Sequence, residues 1–136
     1  MSMIFITRLL VIIVTFFPAG STFANSPSPG KPEPLEITIH YLLNYVTNSD
    51  KIFIRNNQKY SGSEAAGHMQ KKYAHYQDKI KTPEDFIELA ATKSLISGKP
   101  YLVIVDNNKV LTAQWLLDVL TEYRHQNLSN RQQKSQ

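Results

Sequence analysis

Lys51-Ile52-Phe53-Ile54-Arg55-Asn56-Asn57-Gln58-Lys59-Tyr60-Ser61 is the stretch that decides the fold. Two short runs, Lys51 to Arg55 and Gln58 to Ser61, flank a pair of asparagines. Asparagine tolerates the positive φ that a two-residue hairpin turn demands, so the segment reads as a β-hairpin. The period changes on either side of it. Upstream, Leu35, Ile39, Leu42, Leu43 and Val46 recur at helical spacing and predict a first helix ending near Asn48-Ser49. Downstream, Ala66, Met69, Tyr73, Tyr76 and Ile80 share one face of a second helix. Ser61 or Ser63 is its expected N-cap, and Ser61 with Glu64 fits a capping box.

Thr82-Pro83-Glu84-Asp85 predicts the start of a third helix: a hydroxyl cap, proline in the first turn, then acids at the positive end. It should bury Phe86, Ile87, Ala90 and Ala91 and stop before Gly98 and Pro100. Tyr101 to Val105 is an unbroken apolar strand bounded by Asp106-Asn107-Asn108. Thr112 is the expected cap of a last helix with Trp115, Leu116, Val119, Leu120 and Tyr123 on one face. The order α-β-β-α-α-β-α predicts an α+β fold, a small and mostly antiparallel sheet (the hairpin plus one further strand) covered by about four helices. No internal repeat is visible.

The flanking segments read differently. Arg8, the apolar run Leu9 to Phe17, the breakers Pro18 and Gly20, and Thr22-Phe23-Ala24 describe a secretory signal peptide over residues 1–24, cut near Ala24. Pro18 interrupts the run well before the roughly 20 apolar residues that a spanning helix needs, so no stable membrane insertion is expected after cleavage. The expected address is the periplasm or the exterior. Residues 25–34 form a Pro-rich linker, 35–126 a single domain, and 127–136 a disordered tail. With no cysteine in the chain, neither disulfide nor thiol chemistry is available. Eleven cations face ten anions between Glu36 and His125, so the formal charge of +4 lies mostly outside the domain. Nucleic acid is therefore not an expected partner.

Ile52-Phe53-Ile54-Arg55-Asn56, Tyr60, Glu64-Ala65-Ala66, His68 and Lys71-Lys72-Tyr73 form an ordered series of motifs. It continues through Thr82, Glu84-Asp85-Phe86-Ile87, Ala91-Thr92-Lys93-Ser94, Ser97-Gly98-Lys99-Pro100-Tyr101 and Trp115-Leu116. The series resembles the YfeK-like family of small exported bacterial proteins over roughly Leu35 to Arg124. The resemblance implies export and one compact domain, and it carries no established activity.

Glu64, His68 and Lys72, four residues apart, make one stripe on the second helix. Such a stripe is either a solvated, salt-bridged face or a general base oriented by a carboxylate, with Lys72 or Arg55 stabilising an anion. Arg55, ending a strand before a tight turn, is the candidate ligand contact, since its planar fork suits an anion. Ser94 falls among Phe86, Ala90 and Ala91 on the helical wheel, so its hydroxyl should bond back to a carbonyl one turn earlier. His68 and His75 lie two turns apart, about 10 Å, too far to share one zinc ion, so neither metal nor cofactor is expected. Ile37, Tyr41 and Tyr45 line the other side of the first helix, as a second core face or as a contact strip for a periplasmic partner or a second copy. The leading expectation is a non-enzymatic, envelope-associated binding module. The alternative is a small periplasmic hydrolase or transferase using His68 with Arg55, Lys72 and Ser94.

Overall fold

The computed structural model describes residues 34–135. The expected signal peptide, and the linker up to residue 33, lie outside the described residues. The chain forms α1 (Leu35–Thr47), β1 (Phe53–Arg55), β2 (Gln58–Tyr60), α2 (Gly62–Tyr76) and α3 (Pro83–Ala91). It continues with β3 (Leu102–Val105), β4 (Asn108–Leu111) and α4 (Thr112–Lys134). This is the expected α+β class with its four helices.

The sheet is larger than the sequence suggested. It has four antiparallel strands in the order β2-β1-β3-β4. Asp106-Asn107, read only as the end of a strand, is a second hairpin turn. Its φ values of 49° and 64° match the 50° and 64° of Asn56-Asn57, and both pairs have the positive φ of a type I′ turn. The missed strand, Asn-Lys-Val-Leu, is short and mostly exposed, so it carries little apolar alternation for a reader to detect.

The absence of an internal repeat was also wrong at the level of structure. The chain is two successive α-β-β-α units. The hairpin turns lie 50 residues apart, as do Phe53 and Val103, which pair across the centre of the sheet. An approximate twofold axis of the sheet therefore passes through that pair. At the same offset Ile54, Asn57, Lys59, Tyr73 and His75 recur as Ile104, Asn107, Lys109, Tyr123 and His125, a sparse repeat scattered among differing residues.

One sheet face holds the core. Phe53 and Val103, both buried, meet Ile39, Leu42 and Val46 of α1, Met69 of α2, Phe86 and Ile87 of α3, and Leu116 and Leu120 of α4. Tyr60 and Val110, the cross-strand partners of Phe53 and Val103, pack against the same cluster. Alternation sends Ile54, Leu102 and Ile104 to the other face. Ser61 and Glu64 close the expected capping box on α2, and Thr82 with Asp85 closes another on α3. Thr112 is not a cap: Leu111 occupies that position, and the Thr112 hydroxyl is buried with no partner among the described residues. Residues 127–134, read as a tail, continue α4. Among the described residues, no helix is long and apolar enough to cross a membrane.

The α1–α2 junction is tight. A Cβ on Gly62 would lie 2.1 Å from the Val46 carbonyl oxygen and 2.8 Å from that of Ser49. Backbone cannot yield as a side chain can, so Gly62→Ala should cost about 1–3 kcal/mol, in the range of overpacked cores. Gly67, on the same helix, has no atom within 4 Å of its Cβ position among the described residues. Gly67→Ala should therefore add about 1 kcal/mol through helix propensity. Denaturant midpoints of the two variants should move in opposite directions; movement the same way would contradict this junction.

Candidate functional site

The central pairing runs Phe53↔Val103 and Ile54↔Leu102, which brings Arg55 opposite Tyr101 at the end of the seam. Arg55 follows Phe53 by two residues and so points to the helix-covered face. Its Cζ lies 6.0 Å from the centre of the Tyr101 ring. Lys72 reaches the same ring from α2, with Nζ 5.1 Å from the centre and donating to the Lys93 carbonyl at 2.8 Å. Two cations thus meet on one aromatic ring.

His68, one turn before Lys72, completes the cluster. Arg55 Nη1 lies 3.2 Å from its Nδ1 and 3.4 Å from its Nε2. Near-equal distances do not follow the lone pair of either nitrogen, so this is a cation against the ring rather than one directed hydrogen bond. The Tyr60 ring packs edge-on against the imidazole at 5.3 Å. Burial, then Arg55 and Lys71, hold the His68 pKa below its ordinary value, against an upward pull from Glu64. Lys72 is lowered by burial, Arg55 and Lys93. Burial raises the Tyr101 phenol, and Arg55 opposes that rise. Burial, the largest cause at His68 and Lys72, and the neighbouring cations both disfavour their charged forms.

Glu64 offsets the crowding only in part, through its upward pull on His68. Arg124 pairs with Glu84, but no carboxylate lies within salt-bridge distance of Arg55 among the described residues. Arg55 Nε is also buried with no hydrogen-bond partner among them. Glu64 does not orient His68. Its carboxylate is held by the backbone N–H and hydroxyl of Ser61, both at 2.8 Å.

Ser94 lies beyond the end of α3 rather than on it, and this corrects the helical-wheel placement. Its buried hydroxyl accepts two long bonds of 3.4 Å, from Asn56 Nδ2 and from the Ser97 N–H. Among the described residues it makes no bond back to a helical carbonyl. Ser97 donates from its hydroxyl to Asn56 Oδ1, so the first hairpin turn is tied to the loop after α3. Gly98 takes the left-handed φ of 68° in that loop, which closes through its N–H donating to the Ser94 carbonyl at 2.9 Å.

The structure thus brings Arg55, His68 and Lys72 together, sets Ser94 beside them through Asn56, and leaves Glu64 in its cap. Tyr101, Asn56 and Ser97 are members that sequence reasoning missed. The cavity between Arg55, His68, Tyr60, Met69 and Tyr101 is about 20 Å³, room for about one water and far below a substrate pocket. No group of His, Asp and Glu among the described residues is arranged to hold a metal. On α1, Tyr41 stacks on Tyr123 at 4.1 Å and Tyr45 lies against Trp115 at 5.6 Å. Both rings spend one side on α4, while Ile37 remains 61% exposed.

A family described as being of unknown function, DUF5329, matches residues 33–124. The uncharacterized protein YfeK of Salmonella typhimurium is 36% identical over 67 residues. That match spans 48% of this chain and 56% of the relative. No solved structure matches. The family match takes in every strand, three complete helices and the first half of α4. The chain belongs to the DUF5329 family, the YfeK-like proteins of unknown function.

Proposed function

We propose that this protein is an exported, non-enzymatic binding module of the cell envelope that holds an anionic group, phosphate or carboxylate, at Arg55. One observation carries the reading: Arg55 and Lys72 converge on Tyr101 with no carboxylate on Arg55 among the described residues. Like charges held together make a ready counter-site, because an anion there gains attraction and relieves repulsion at once. The charge sequence of residues 1–24 supports the exported address.

The hydrolase or transferase alternative gains no support from the geometry. Nucleophilic serine chemistry needs a base on the hydroxyl. The Ser94 hydroxyl accepts from Asn56 and Ser97, while the imidazole of His68 faces Arg55.

Inorganic phosphate or sulfate should raise the melting temperature of the protein. At about 100 times Kd the stabilisation is about 2.7 kcal/mol, which is about 10 °C or more for a domain of this size. Arg55→Gln should remove the effect. Stabilisation by either anion that persists undiminished in Arg55→Gln, or no stabilisation of the parent, would contradict the site.

The pH dependence has a definite sign. In the free protein His68 titrates below 6.5, and a bound anion favours its protonated form. Binding then takes up a proton, so affinity should rise as pH falls through the region below 6.5. His68→Gln should flatten that rise and keep binding at neutral pH. Calorimetric titration at a series of pH values checks both statements. Export is checked separately, by intact mass of the protein recovered from an osmotic-shock fraction. The expected first residue is Asn25, and retention of residues 1–24 would contradict the address.

A further inference from the structure

The loop that closes the cationic site exposes two large aliphatic side chains, Leu95 at 62% and Ile96 at 89%. They do not dangle. Ser94 donates its N–H to the Lys99 carbonyl at 3.0 Å, and Gly98 donates to the Ser94 carbonyl at 2.9 Å. Asn56 holds both Ser94 and Ser97. A bonded loop therefore presents an apolar pair outward, where water is the unfavourable neighbour. Isolated exposed aliphatics are common and by themselves mean little.

Charge supplies the second observation. Three segments meet at this loop: residues 51–63 through Arg55 and Asn56, 65–77 through His68 and Lys72, and 89–105 through Lys93, Ser94 and Tyr101. The loop's own cations are Lys93 and Lys99, joined by Arg55 and Lys72 through these contacts. Glu64, one turn before His68 on α2, is an acid near them, its carboxylate held by Ser61. Four cations thus gather at the loop, and none of the four makes an ion pair among the described residues.

We infer that the Ser94–Gly98 loop docks this protein onto an anionic lipid surface. Leu95 and Ile96 enter the boundary between headgroups and acyl chains, while Arg55, Lys72, Lys93 and Lys99 meet lipid phosphates. An apolar tip ringed by cations matches the layering of a bilayer interface, apolar below and negative above. A nucleic acid would satisfy the cations and leave the aliphatic pair in water. The inference rests on the reading of Arg55 as an anion site, and it names that anion as the phosphate of a lipid.

The chain has no cysteine, so Ile96→Cys provides one attachment point for an environment-sensitive fluorophore. The probe reports on the loop alone, whatever residues 1–24 do. The labelled protein, expressed as the full chain, is titrated with vesicles of phosphatidylglycerol or of phosphatidylcholine. Blue-shifted, brighter emission is expected with the anionic vesicles only, and none from a label at Glu122→Cys on α4. Lys93→Gln with Lys99→Gln should weaken the response about tenfold or more, given the usual attraction of each cation to an anionic surface. An equal response to both lipids overturns the inference, as does a response to a single-stranded oligonucleotide but not to vesicles. Silence at position 96, with phosphate still stabilising the parent through Arg55, removes the lipid proposal and leaves the anion site. Silence in both experiments removes both.

Discussion

The fold depends on a short seam between β1 and β3. It comprises the pairs Phe53↔Val103 and Ile54↔Leu102, with the Ile104 N–H donating to the Ile52 carbonyl at 2.9 Å. Each hairpin alone would be a marginal two-stranded ribbon. Joined through the seam, they become a four-stranded sheet with one face wide enough for a helical layer. Phe53 and Val103 sit at the centre of the join, 4% and 0% exposed, so the seam is also the middle of the core. Burying side chains of this size contributes about 1.5–3 kcal/mol each. Loss of the register would displace the sheet and the helices together.

The same register makes the site. One step beyond Ile54↔Leu102, Arg55 faces Tyr101 on the helix side of the sheet, where a hydrophobic residue would ordinarily stand. The polar head is carried there by the alternation that buries Phe53. α2 then delivers His68 and Lys72, one turn apart, onto the arginine and the tyrosine. Such crowding of cations destabilises the free protein, and structures that keep it usually do so at functional sites. The cation–π contacts and the Lys93 carbonyl offset part of the cost.

Local structure was legible where local chemistry writes it. The Asn56-Asn57 turn, the Ser61–Glu64 and Thr82–Asp85 capping boxes and the apolar faces of the helices need only neighbours in sequence. β4 was not legible, because Asn108 to Leu111 has one half-buried side chain and takes its strand identity from β3. Thr112 was read as a cap since its residue type suits one, yet β4 runs on to Leu111 and moves the cap there. Arg55 and His68 were identifiable as candidates from their residue types. Their contact spans 13 positions and follows from the packing of α2 over β1. Tyr101 could not be placed at all without the β1–β3 register, which no local signal encodes. Ser94 was misplaced because the helical pattern was extended three residues past Ala91.

The claim on which the account rests is that Arg55 and Lys72 share the Tyr101 ring. Proton NMR tests it directly through the side-chain methylenes next to the two charges. The account predicts nuclear Overhauser contacts from the Tyr101 ring protons to Arg55 Hδ and Lys72 Hε, with both methylenes shifted upfield by the ring current. Methylenes at random-coil shifts, with Arg55 instead in contact with a carboxylate such as Glu64, would contradict it.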